Sequence, residues 1–96
     1  MIVSQKNGPH GILLVVTDSD LVGKRFEKGR LQLDLMQDFY NGDEMNKEEV
    51  KILLQRSRDA HFTGKKSIAI GVELNLIHPE RVLFVEGIPH AEVVLE

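Results

Sequence analysis

An α+β fold, with a mixed or antiparallel sheet of about five strands and two helices on one of its faces, is what this sequence predicts, and three stretches predict it. Leu31-Gln32-Leu33-Asp34-Leu35 alternates throughout, which puts its leucines on one strand face and its polar residues on the other. Val82-Leu83-Phe84-Val85-Glu86, then Gly87-Ile88-Pro89-His90-Ala91, then Val93-Val94-Leu95 reads as strand, tight Gly/Pro turn and strand, with His90 at the tip of the turn. Asn46 with Glu49 three residues on is a capping-box start. Behind it Val50, Leu53, Leu54, Ser57 and His61 keep the spacing of one helix face.

In chain order, Ile2 to Gln5 and Gly11 to Thr17 are apolar, β-branched runs around Lys6-Asn7-Gly8-Pro9-His10, so a hairpin is expected. Consecutive apolar residues in the second run predict a strand covered on both faces. A short capped turn follows over 18–26. Gly23 and Gly29 bracket a basic segment read as a loop with special backbone angles. After the alternating strand, Phe39-Tyr40-Asn41-Gly42 makes a turn. The first helix is expected from Lys47 to about Ala60 and the second from Lys65 to Leu74, with Thr63-Gly64 between them. Gly71 inside the second helix implies a close contact there, and Asn75 suits a left-handed end.

One domain over 1–96 is expected from the length. No cysteine is present, so disulfides, thiolate metal sites and thiol catalysis are excluded. The start, Met1 to Lys6, lacks the build of a secretory signal, and the longest apolar run, Ile12 to Val16, is too short to span a bilayer. The expectation is a cytoplasmic protein with no membrane partner. The net charge of −3 argues against a generally basic nucleic-acid binder. Yet nine of the twelve Lys and Arg residues fall in two windows, Lys24 to Arg30 and Lys51 to Lys66, while Asp38 to Glu49 is acidic. Two solvated surfaces, or one basic face opposing an acidic one, would both fit this pattern.

Three groups of residues are candidates for chemistry. Gly64, Lys65, Lys66 and Ser67 open a helix, where free N–H groups and the dipole favour an anion; the alternative is an ordinary turn with exposed lysines. It is not a nucleotide-hydrolase phosphate loop, since Asp59 stands where that motif needs its first glycine. Lys24, Arg25, Phe26, Lys28 and Arg30 interleave bases with an aromatic, which suits RNA phosphates and a stacked base, unless Phe26 points into the core. His90 is a weak acid/base candidate; the alternative is a histidine that hydrogen-bonds nearby backbone and fixes the turn. Asp18 to Gly23 begins like a calcium loop but has Val22 and Gly29 where ligands belong, and the four histidines have no metal-ligand spacing. No metal or cofactor is expected.

Gly23-Lys24-Arg25-Phe26 with Gly29, the Leu31–Leu33 strand, Phe39-Tyr40 with Gly42, and Gly87-Ile88-Pro89-His90-Ala91 together resemble a small family of archaeal proteins known only as a domain of unknown function. Gly87, Pro89 and His90 belong to its most specific part, a Gly-Val/Ile-Pro-His-Ala ending followed usually by Gln. The resemblance implies source and compartment, not mechanism. This chain departs from it with Glu92 in place of Gln, and with Gln37 in place of a small hydroxyl residue. The functional expectation is a non-enzymatic binding module for RNA or a ribonucleoprotein, working through the basic loop. The alternatives are a small enzyme using His90 beside Asp18 or Asp20, and a protein–protein adaptor using the acidic segment.

Overall fold

The computed structural model describes residues 1–95. Its elements are β1 (Ile2–Gly8), β2 (Gly11–Thr17), β3 (Arg25–Lys28), β4 (Leu31–Asp34), β5 (Asp43–Glu44), α1 (Lys47–Leu54), β6 (Asp59–Thr63), α2 (Lys65–Glu73), β7 (Leu83–Val85) and β8 (Ile88–Val94), with short 3-10 turns at Asp38–Tyr40 and Pro79–Arg81. A six-stranded sheet runs β5-β1-β2-β6-β8-β7, and β3 and β4 form a separate two-stranded hairpin. The sheet is mixed: β2 and β6 are parallel and its other pairings are antiparallel. The fold is α+β, as the sequence predicts.

Alternation along the strands divides the buried side chains into two layers. Val3, Leu14, Val16, Ala60, Phe62 and Ala91 face both helices and pack on Val50, Leu54, Ile68 and Ile70. The opposite face is also covered. There Val85 and Ile88 meet Leu21, Leu33 and Leu35, with Phe26 and Tyr40 at the margin. The hairpin and the 38–40 turn therefore cover the face that the helices leave.

Three expectations are corrected. The first helix stops at Leu54, and 59–63 is a strand at the middle of the sheet. Ser57 and His61 extend the helical spacing without adding apolar surface, so nothing holds a helix there against the pairing that buries Ala60 and Phe62. The final turn is Glu86-Gly87, both at positive φ (51° and 79°) as a two-residue hairpin turn requires, so His90 lies inside β8 and not at a tip. The segment 25–28 is a strand, because its pairing with β4 satisfies a backbone that a loop would leave to water.

The ends of α2 behave as the sequence indicates. Asn75 is left-handed (φ 60°), and the N–H groups of Asn75 and Leu76 bond back to the Val72 and Gly71 carbonyls at 3.0 and 2.8 Å, closing the helix. Gly71 is the close contact: a Cβ there would lie 2.2 Å from Ile77 Cδ1.

Candidate functional site

The hairpin positions the first group of candidate residues. Leu33 is buried and Phe26 half-buried in the second core layer, which anchors the hairpin against β7 and the start of β8. Phe26 therefore packs inward and does not stand ready to stack a base. Arg25 is committed within the hairpin: its guanidinium donates to Glu27 at 2.7 Å, and the Gln32 amide oxygen accepts from its Nε and Nη2 at 3.0 and 2.9 Å. Lys24, Lys28 and Arg30 are exposed, and no ion pair holds any of them among the described residues. The Glu27 N–H donates to the Glu86 carboxylate at 2.7 Å, which ties the hairpin to the β7–β8 turn.

The second group sits across the sheet at the start of α2. The carboxylate of Asp18, buried at the end of β2, accepts from the N–H of Lys66 (3.0 Å), the N–H of Ser67 (2.8 Å) and the Ser67 hydroxyl (2.7 Å). Parallel pairing explains this meeting, since it brings the ends of β2 and β6 side by side. Gly64 (φ 106°) allows the approach; a Cβ there would stand 2.3 Å from Asp18 Cγ. The anion that this helix start favours is thus supplied by the protein's own aspartate. Lys65 and Lys66 are exposed, but α2 and the hairpin cover opposite faces of the sheet. Lys51, Arg56 and Arg58, the rest of the second basic window, lie at the far end of β6. The two windows do not merge into one face.

His90 is buried in β8, paired across to Thr63 and Leu83. Its Nε2 lies 3.1 Å from a Glu92 oxygen and its Nδ1 2.8 Å from the Thr63 hydroxyl. The carboxylate can only accept, so the neutral ring carries its proton on Nε2 and takes the Thr63 hydroxyl hydrogen on Nδ1. Both ring nitrogens are in use, which leaves neither for a substrate. His61, across from Glu92 in the register, approaches the other carboxylate oxygen at 3.7 Å. Burial pushes the His61 imidazole below its usual range, against the opposing pull of Glu92. The hydrogen bond from His90 holds Glu92 below the usual carboxylate range. Tyr40 is pushed up by burial first, then by the negative charges of Glu92 and Asp34. Phe39 lies edge-on to Tyr40, against His61 and under the Lys6 ammonium, with ring or charge separations of 5.1, 5.8 and 5.0 Å.

The acidic segment is partly built into the fold. Glu44 bonds the Met1 amino group and accepts from Ser19, and Glu49 closes the capping box with Asn46. Sequence reasoning missed Asp18 as the cap of α2, although a helix opening on Gly-Lys-Lys without a capping side chain of its own signals a cap from elsewhere. It also missed the His61–Glu92–His90 cluster. The signal there was Glu92 two residues from His90, hence on the same strand face.

The family model DUF424, a protein of unknown function, matches residues 6–95. No curated protein matches the chain. The crystal structure of an uncharacterized conserved protein from Methanopyrus kandleri is similar with a TM-score of 0.80 and 16% identity, over 98% of this chain and 90% of that one.

Proposed function

That this chain belongs to the DUF424 family of proteins of unknown function is the premise from which we propose that it is a non-enzymatic binding module for RNA or a ribonucleoprotein, acting in the cytoplasm through the β3–β4 hairpin. The observation that carries this reading is the set of exposed cations around the hairpin, Lys24, Lys28 and Arg30, which no described acidic group neutralises. Exposed cations of this kind suit contact with phosphates, and binding through them would follow counterion release. Phe26 anchors the hairpin and takes no part in stacking, so the contact is with the backbone of the nucleic acid and carries little sequence preference. The buried and doubly bonded ring of His90 speaks against the acid/base alternative. Glu44 and Glu49 are exposed but already hydrogen-bonded within the chain, which weakens the acidic adaptor alternative.

The test is fluorescence anisotropy with a short single-stranded RNA over a salt series. Three phosphate contacts to a single strand give a slope of log K against log salt of about −2. The triple variant Lys24→Gln, Lys28→Gln, Arg30→Gln should abolish measurable binding at salt concentrations where the native protein binds, while leaving the circular dichroism spectrum unchanged. Binding that is equal in the triple variant would overturn the reading.

A further inference from the structure

The six-stranded sheet ends in β5 on one side and in β7 on the other. A free edge presents unpaired N–H and C=O groups, and natural edges are guarded against pairing by charge, proline or a bulge. The β5 edge is guarded in this way, since it consists of Asp43 and Glu44. The β7 edge, Leu83-Phe84-Val85, carries neither charge nor proline. Leu83 and Phe84 are 54% and 55% exposed. Phe84 stands opposite Pro89, which has no N–H and turns its carbonyl to the Gly64 N–H (2.9 Å) on the far side of β8. In a two-residue hairpin the second pair from the turn exchanges no bonds, so the Phe84 N–H and C=O point to the free edge. Its side chain joins Ile68, Val72, Pro79 and Val82 around a mainly apolar groove of about 560 Å³ between α2 and this edge.

From this arrangement we infer that β7 pairs antiparallel with β7 of a second copy of this chain, across a two-fold axis at Phe84, joining the two sheets into one. The contact is self-complementary, as a closed two-fold interface requires. Phe84 of each copy exchanges both backbone bonds with Phe84 of the other. The two phenyl rings stand side by side on the α2 face, where the two grooves meet and cover them. The charges at the ends of β7 select both the partner and the direction. Arg81 precedes the strand and Glu86 follows it; both are exposed, and neither forms an ion pair among the described residues. Glu86 accepts from the Glu27 N–H at 2.7 Å through one carboxylate oxygen and keeps the other. The antiparallel register sets 82 opposite 86 and 81 opposite 87, which places Arg81 of each copy beside Glu86 of the other. A parallel pairing would bring like charges together. An unrelated apolar strand would fill the groove and leave both charges unanswered.

The experiment is sedimentation equilibrium of the native chain at concentrations from about 1 μM to about 1 mM. The mass should rise from 10.9 kDa to twice that value, with a Kd at or below about 100 μM. Phe84→Lys puts a charge on the free edge and should hold the chain monomeric throughout, with an unchanged circular dichroism spectrum. Arg81→Glu and Glu86→Arg, each alone, set like charges together and should weaken self-association about tenfold or more. Mixed in equal amounts, these two single variants regain opposite charges at both ends and should associate as tightly as the native chain. The triple hairpin variant should dimerise unchanged, which separates this edge from the proposed RNA contact. A native chain that stays monomeric at about 1 mM would overturn the inference. So would full association in Phe84→Lys, or a mixture no tighter than either single variant by itself.

Discussion

At the scale of single residues, the chemistry of the sheet face opposite the helices turns on Glu92. It accepts from the buried His90 and stands close to His61, so its charge is felt by both rings. Replacement by glutamine keeps the hydrogen-bonding shape and removes the charge. Because burial lowers the His61 pKa while Glu92 raises it, Glu92→Gln should move the His61 titration further down, as read by NMR of the ring protons. A His61 titration unmoved or raised by the substitution would contradict this account. Linkage gives the sign of the pH dependence in the native protein. With its folded pKa below the reference 6.5, His61 binds fewer protons folded than unfolded, so stability falls as pH drops from 6.5 towards the folded value. Glu92, also depressed, adds a second loss below its reference 4.5, as pH falls through its folded value.

At the scale of elements, α2 depends on a residue outside it. Asp18 lies 48 positions before Lys66 in sequence, yet it supplies the acceptor that the first turn of the helix lacks. Asp18→Ala leaves two N–H groups and a hydroxyl without their partner in a buried setting. The expected loss is about 2 kcal/mol or more in urea unfolding. A loss below about 0.5 kcal/mol would show that the cap contributes little. The same contact shows where sequence reading stops. The capping box of α1, the alternation of β4 and the left-handed end at Asn75 are written within a few residues and were legible. The end of α1 was not, because Ser57 and His61 prolong a helical spacing that only tertiary burial can confirm or refuse. Strand β6 was hidden for the same reason: its two inward residues, Ala60 and Phe62, are too few to show a period by themselves. Asp18 suits a local cap or turn, and nothing in its neighbourhood reveals a helix that starts 47 residues on.

At the scale of the whole molecule, the charge windows seen along the chain are redistributed by the topology. The parallel β2–β6 pair separates the second window into Lys65 and Lys66 at one end of β6 and Lys51, Arg56 and Arg58 at the other. The hairpin cations stand apart from both, across the sheet from α2. Charge runs in sequence predict that basic groups exist, and the direction of each strand decides which of them meet. Against a net charge of −3, the proposed contact with a phosphate chain depends on the local cations Lys24, Lys28 and Arg30 of the hairpin. The measurement that tests this most directly is a titration of the labelled protein with single-stranded RNA at low salt. The amides of 24–30 should shift first and return as salt is added. Shifts that leave the hairpin untouched, or that persist unchanged at high salt, would contradict the account.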